Sequence, residues 1–133
     1  MDAVEDPAFI AQAIAEEFVE GFNARDDQRH RDVMNFPSVI LVDGQFKLWE
    51  RPEDYALPWD RFVESEGWHR STLDAAEIVQ LGPDKVHLQV TFSRYDADGV
   101  RYSTRHGLWV ITRVEGHWGI QCRSNFIPDQ ISS

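Results

Sequence analysis

The spacing of apolar residues is helical at the start of the chain. Apolar side chains recur every four positions there, at Ile10, Ile14, Phe18 and Phe22. This spacing predicts a helix with one apolar face directed at a core. The helix is expected to start at Asp6-Pro7, because Asp6 can cap free backbone N–H groups and proline tolerates the first helical position.

A second, short helix is predicted to follow. Asp26 or Asp27 is suited to cap it, and it would carry Val33 and Met34 towards the core. Pro37 is expected to end this helix, because the residue before a proline is disfavoured in the helical conformation.

The hydrophobic period becomes that of strands after Pro37. A β-branched run and an alternating run flank Asp43-Gly44, which predicts a hairpin over 39–49. A broken helix follows, in which Trp59, Phe62 and Val63 share one face. The remaining chain is predicted to form strands separated by turns, over 68–81, 86–93, 100–114 and 117–126.

This order of elements predicts an α+β domain. Segregated helices and strands favour N-terminal helices packed on one face of a strongly curved, mixed but mostly antiparallel β-sheet. A curved sheet closed by helices leaves a conical cavity with its mouth between them. A small ligand is expected in that cavity.

Length and composition favour one globular domain. The chain has 133 residues, of which 42% are hydrophobic and 27% charged. We expect a single domain over residues 1–133, with a core at about 7–127 and a flexible tail at 128–133.

The charge balance argues against two classes of partner. Thirteen basic and 23 acidic residues give a net charge of −10. Phosphate backbones and anionic lipid surfaces repel such a chain, so neither nucleic acid nor membrane is an expected partner. The acidic N-terminus is unlike a signal peptide, and a cytoplasmic location is expected.

The sequence gives no reason to expect a cofactor or a metal. Cys122 is the single cysteine, which excludes an internal disulfide and a CxxC motif. The five histidines have neither HxH nor HExxH spacing. Any chemistry is therefore expected to be cofactor-free.

Three short motifs carry a resemblance to a known superfamily. The segment 18–26 runs from an aromatic helix end into Asn-Ala-x-Asp, 39–43 is an apolar strand ending in aspartate, and 116–120 has the pattern Gly-x-Trp-x-Ile. In order and spacing they resemble the nuclear transport factor 2-like superfamily, in its polyketide cyclase-like and ketosteroid isomerase-like branch. The resemblance covers about residues 7–126 and implies a cystatin-like cone. That scaffold hosts isomerases, cyclases, dehydratases, epoxide hydrolases and non-catalytic binding or association modules.

Ketosteroid isomerases need a carboxylate base and donors for an oxyanion. The resemblance places Asp43 at the position of the base. By the same matching, Phe18 stands at the position of the tyrosine that binds the oxyanion, and it cannot donate a hydrogen bond. His106 falls near the position of the carboxylic acid that also binds the oxyanion. Steroid isomerisation itself is therefore not expected. Asp-Gly is also a common hairpin turn, which would account for Asp43 without any function.

His106 is the candidate acid or base, with Tyr102 as a hydrogen-bond donor. If Leu108 and Val110 face the cavity, strand alternation places His106, Tyr102 and Thr104 there too. The alternative is a buried histidine satisfied by a neighbouring hydroxyl. Thr104 and a set of aromatic side chains are predicted to line the pocket, namely Phe18, Phe22, Trp59, Phe62 and Phe92. Ordinary core packing is the alternative for each aromatic residue.

The other face of the same strands carries Trp109, Ile111, Arg105 and Arg123. An apolar patch rimmed with charge on a face without helices usually marks association, so a homodimer through this outer sheet face is predicted. A solvated amphipathic strand is the alternative.

Together these features predict a protein that binds a small, mostly apolar organic molecule in the cone. Acid–base chemistry of the isomerase, dehydratase or cyclase type is a hypothesis built on His106 and Asp43. The alternative is a non-catalytic binding or dimerisation domain with a packed pocket. A cavity of roughly 300 Å³ or more lined by His106 and Tyr102 would favour the first, and a cone filled by aromatic side chains the second.

Overall fold

The computed structural model describes residues 5–42 and 44–126 of the chain. Asp43 and the predicted flexible tail at 128–133 lie outside the described residues. Two helices come first, and a chain of short helical turns separates the second strand from the last four. The elements are α1 (Pro7–Asn23), α2 (Asp27–Asp32), β1 (Met34–Val42), β2 (Gln45–Trp49), a 3-10 turn (Pro52–Asp54), α3 (Trp59–Arg61), a π-helical turn (Phe62–Glu66), β3 (Arg70–Leu81), β4 (Lys85–Tyr95), β5 (Arg101–Val114) and β6 (His117–Asn125).

Aspartate caps start both of the first two helices, as the sequence predicts. The Asp6 carboxylate accepts hydrogen bonds from the backbone N–H groups of Ala8 and Phe9. The Asp26 carboxylate does the same for the first turn of α2. Each cap satisfies backbone donors that the helix itself leaves free.

The predicted end of α2 at Pro37 is wrong. The helix ends at Asp32, and strand β1 begins at Met34, so that Pro37 lies within a strand. The pairing of β1 with β6 shifts register between Met34 and Val39. Proline is tolerated at such an irregularity, because no regular ladder hydrogen bond needs its missing N–H.

The six strands form one mixed sheet in the order β2-β1-β6-β5-β4-β3. All neighbours are antiparallel except β1 and β6, which are parallel. The α+β class with helices on a mixed, mostly antiparallel sheet is thereby confirmed. Because β6 lies between β1 and β5, it joins the N-terminal hairpin to the three-strand meander.

Helix α1 covers one face of the sheet and forms the core with it. Its buried residues include Ala11, Ile14, Phe18 and Val19, which pack with apolar side chains of the strands. The strand residues of this core include Val86, Leu88, Val90, Phe92, Trp109, Ile111, Trp118 and Ile120. We call this covered face of the sheet the inner face.

The predicted faces of β5 are reversed in the structure. Trp109 is 2% exposed and Ile111 is fully buried, whereas Leu108 is 38% exposed. The reason is the pairing with β4, where Trp109 lies opposite Leu88 and Ile111 opposite Val86. Directly paired residues share a face, and the β4 residues are fully buried under the helices.

This reversal removes the basis of the predicted dimer surface. Trp109 and Ile111 belong to the core of the same chain, and Arg105 and Arg123 also lie on the inner face. None of the four is part of an outer apolar patch. A homodimer stays a prediction, without these residues to support it.

Gly119 is required by the close approach of β1 to β6. A Cβ atom at this position would lie 2.5 Å from the carbonyl carbon of Met34 and 2.8 Å from the backbone nitrogen of Asn35. Because both contacts are backbone atoms, β1 and β6 would have to move apart to make room for the added methyl group. We expect Gly119→Ala to lower the free energy of unfolding by about 2–3 kcal/mol, measured by urea denaturation.

Gly82→Ala is the matched control. Its added Cβ would meet one backbone atom, the Lys85 oxygen, at 3.3 Å in a turn. A change of less than about 1 kcal/mol is expected there. Equal losses in the two variants would contradict the tight β1–β6 contact.

Among the residues described, no helix is long and apolar enough to cross a membrane.

Candidate functional site

A cavity of about 230 Å³ lies between α1, the inner face of the sheet and the segment 57–66. Aliphatic and aromatic side chains make up most of its wall, and five charged or amide groups enter it. The lining residues are Phe18, Val19, Phe22, Ile40, Val42, Trp49, Leu57, Phe62, Glu66, Ser71, Phe92, Arg94, Arg105, Trp109, Arg123 and Asn125.

The apolar wall is a set of interlocked rings. Trp109 meets Phe18 edge-to-face, with ring centroids 5.4 Å apart, and lies 6.0 Å from Phe92. Phe22 packs against Phe62 at 5.4 Å. Such contacts pack the rings of the cavity wall against one another.

Three arginines enter the cavity from three adjacent strands. Arg94 lies on β4, Arg105 on β5 and Arg123 on β6. Strand register places them on the inner face, since Arg105 pairs with Phe92 and Arg123 with Trp109. Arg94 and Arg123 are more than nine-tenths buried. Arginine is seldom buried to this extent unless it is paired.

Glu66 neutralises part of this charge at the end of the π-helical turn. Its carboxylate lies 2.6 Å from Arg94 Nη1 and 3.6 Å from Arg105 Nη2, and it accepts a hydrogen bond of 2.5 Å from the Tyr102 hydroxyl. Burial raises the pKa of Glu66, but the charge of Arg94 and the bond from Tyr102 outweigh it and hold the pKa below its ordinary value. Glu66 is therefore ionised at neutral pH.

Arg123 has no such counter-ion among the described residues. Its Nε and Nη2 atoms are buried and make no hydrogen bond to any residue that the structure describes. The guanidinium stacks on the Phe18 ring, with Cζ 4.6 Å from the centroid. Burial lowers the pKa of Arg123, yet a guanidinium stays protonated in proteins.

A buried histidine–tyrosine pair supports the wall from behind. His30 Nε2 lies 2.8 Å from the Phe18 carbonyl oxygen, which can only accept, so Nε2 donates. Burial lowers the pKa of His30 to about 3, and the neutral ring then accepts at Nδ1 from the Tyr55 hydroxyl at 2.8 Å. Burial raises the pKa of Tyr55 to about 12. Both groups are neutral and lie outside the cavity lining.

Four of the predicted pocket aromatics lie in the cavity wall, namely Phe18, Phe22, Phe62 and Phe92. Trp59 does not. It packs edge-to-face on Phe22 at 4.9 Å, and its indole N–H donates to Asp27 Oδ1. Trp59 therefore supports the wall rather than lining it.

The predicted position of His106 in the cavity is wrong. His106 and Thr104 point to the opposite face of the sheet, where His106 Nδ1 lies 3.1 Å from Thr91 Oγ1 and Thr104 bonds to Ser93. This arrangement matches the alternative of a histidine satisfied by a hydroxyl. Tyr102 is outside the lining as well, although it reaches Glu66. With Asp43 outside the described residues, the structure brings no predicted catalytic group into the cavity.

The polar cavity residues were missed by the sequence reasoning. Arg94 is two positions from Phe92, and Arg105 shares its parity with Trp109. The available signal was this shared alternation of arginine with aromatic residues. Solvation normally keeps arginine on the surface, so the pattern suggested an outer face.

The fold is that of cystatin-like and nuclear transport factor 2-like proteins, which confirms the resemblance at the level of the fold. A protein of unknown function with a cystatin-like fold from Nostoc punctiforme PCC 73102 has a TM-score of 0.76 at 10% identity, covering 98% of each chain. A nuclear transport factor 2-like protein of unknown function from Shewanella oneidensis MR-1 has a TM-score of 0.68 at 10% identity, over 91% of this chain and 99% of its own. A nuclear transport factor 2-like protein from Cytophaga hutchinsonii ATCC 33406 has a TM-score of 0.67 at 12% identity, over 92% of this chain and 99% of its own.

No known protein-family profile matches the chain, and no curated protein matches it. The cavity chemistry is therefore argued from the residues of this chain. In the part of the chain that the structure describes, no three His, Cys, Asp or Glu side chains form a cluster that could hold a metal ion.

Proposed function

We propose that the protein binds a small organic molecule with a mostly apolar body in the cavity between α1 and the sheet. The observation that supports this most is the cavity itself. It is enclosed by rigid aromatic rings and carries a few converging polar groups, which is the usual composition of a ligand site.

The size of the cavity limits the occupant. At about 230 Å³ it is smaller than the roughly 300 Å³ at the lower end of typical ligand sites, so the occupant is about one aromatic ring in size. The aromatic side chains line the space without filling it. The cavity has neither the volume nor the His106 and Tyr102 lining that would favour acid–base chemistry, but its open space supports binding over a packed cone.

The cavity groups favour binding over acid–base catalysis. Glu66 is the single carboxylate among the described lining residues, and its arginine partners keep it ionised. A carboxylate with a lowered pKa is a poor proton donor and a weak base at neutral pH. Without His106 in the cavity, a binding role without turnover is the better supported of the two hypotheses.

Neutral one-ring probes test this proposal. Toluene, indole and phenol are titrated into ¹⁵N-labelled protein, and shifts are expected at backbone amides of cavity residues. Ile40→Trp should abolish those shifts, because Ile40 lines the cavity and an indole there would occupy it. Leu41→Trp is the matched control, since Leu41 is exposed on the other face of β1.

Thermal denaturation of both variants establishes that they are folded. If neither these probes nor benzoate shifts any cavity amide, or if Ile40→Trp binds as well as the wild type, the proposed function is wrong.

A further inference from the structure

We propose that the occupant is an organic carboxylate, whose acidic group binds to Arg123 with Arg105 alongside and whose apolar body lies against Phe18, Phe92 and Trp109. This inference rests on the proposed function and adds the chemical class of the ligand.

The first support is the unsatisfied guanidinium. Arg123 is 6% exposed, it lines the cavity, and its Nε and Nη2 atoms lack a hydrogen-bond acceptor among the described residues. A buried donor without an acceptor is costly, and a buried charge without a counter-ion more so. A carboxylate supplies both the acceptors and the charge.

The second support is the charge of the cavity as a whole. Three arginines line it against one carboxylate, Glu66, so the described lining carries a net charge of +2. This occurs in a chain whose overall net charge is −10. Concentration of positive charge in the interior of an acidic protein is what an anion site requires.

Arg123 differs from the other two arginines because it is not paired with Glu66. Glu66 lies 2.6 Å from Arg94 and 3.6 Å from Arg105, so it pairs with Arg94 most closely and with Arg105 loosely. Arg105 also donates from Nε to Ser103, which leaves its terminal nitrogens shared between Glu66 and the cavity. Arg123 has no carboxylate partner within the described chain: the Tyr55 hydroxyl lies beside its guanidinium but is neutral, and Nε and Nη2 still lack an acceptor, which makes Arg123 the best anchor.

The internal contacts of Arg123 do not replace an anion. The contact of the guanidinium with the Phe18 ring, with Cζ 4.6 Å from the centroid, is a cation–π interaction that supplies neither a hydrogen-bond acceptor for Nε and Nη2 nor a negative charge. Water could accept from those N–H groups but would not neutralise the charge. The planar fork of N–H donors instead matches the two oxygens of a carboxylate.

Matched pairs of acids and amides test the inference. Benzoate with benzamide, phenylacetate with phenylacetamide, and hexanoate with hexanamide have nearly the same shape and differ in charge. Dissociation constants are measured by NMR titration at pH 7 in a chloride buffer. We expect at least one acid to bind about tenfold or more tightly than its amide.

Substitutions of Arg123 test whether this residue causes the preference for the acid over the amide. Arg123→Met keeps an unbranched apolar side chain and is expected to weaken binding of the acid more than binding of the amide, which removes the preference for the acid. Arg123→Lys keeps the charge without the planar fork and should retain a reduced preference. It serves as the test if Arg123→Met does not fold. Arg101→Met, at an exposed position outside the cavity lining, should bind like the wild type.

The outcomes separate the two proposals. Equal binding of acid and amide by the wild type would overturn the carboxylate inference and leave the proposed function intact. If both Arg123 variants keep the full preference for the acid, Arg123 is not the residue that binds the carboxylate. Acetate binding as tightly as phenylacetate would mean a simple ion site without a place for the apolar body. Absence of binding by every acid and amide would overturn both proposals.

Discussion

Trp109→Ala is expected to lower the free energy of unfolding by about 3–5 kcal/mol. Trp109 is 2% exposed, and its ring packs against Phe18 and Phe92. Its indole N–H also donates to Asn125 Oδ1 at 2.9 Å, so truncation leaves a partly buried acceptor without its partner. Urea denaturation followed by circular dichroism measures the loss.

The adjacent residue provides the control. Leu108 is 38% exposed on the other face of β5, so Leu108→Ala is expected to cost less than about 1 kcal/mol. The pair tests the face assignment directly. Similar losses at both positions, or a larger one at Leu108, would contradict the register of β5 against β4.

Acidification from pH 7 to pH 4.5 is expected to destabilise the protein by about 2–3 kcal/mol through His30 alone. In the folded state burial lowers the pKa of His30 to about 3. The unfolded chain has the ordinary value of about 6.5, so it binds one more proton than the folded chain between these values. Stability from this group is complete above pH 6.5 and is lost as the pH falls towards 3.

His30→Gln removes the titrating ring. The loss of unfolding free energy between pH 7 and pH 4.5 is therefore expected to be about 2–3 kcal/mol smaller in this variant, whatever its stability at pH 7. His69→Gln is the control, because His69 is exposed. Unfolding free energies at several pH values above 4.5 isolate the histidine, since most carboxylates protonate below about 4.5. An unchanged slope in His30→Gln would show that folding does not lower the pKa of His30.

Local patterns were sufficient for most elements of the fold. The four-residue apolar repeat after Asp6-Pro7 specified α1 and its cap, and the alternation from Val86 to Ser93 specified β4 and its inner face. The boundary between α2 and β1 was missed, because the irregular pairing that accommodates Pro37 depends on β6, far away in the sequence.

The faces of β5 show why the site was harder to predict. Both alternating sets on this strand contain apolar residues, so composition alone does not choose between them. The choice is made by register, which places Trp109 opposite Leu88. The reversed faces of β5 and β6 moved His106 out of the cavity and brought Arg105 and Arg123 into it. The predictions for Phe18, Phe22 and Phe62 were unaffected, because α1 and the segment 57–66 do not depend on that register.

The central place of β6 makes the order of synthesis matter. Parallel pairing sets Ile40 on β1 beside Arg123 on β6, about 80 residues later in the chain. A ribosome adds roughly 5–20 residues each second, and before β6 is made the β1–β2 hairpin and the β3–β5 meander cannot pair into one sheet, although α1 already contacts β3. Until β6 leaves the exit tunnel, each piece exposes the strand edge that β6 will join. The nascent protein therefore depends on its last strand for closure, and ribosomal stalling before β6 would release an aggregation-prone fragment.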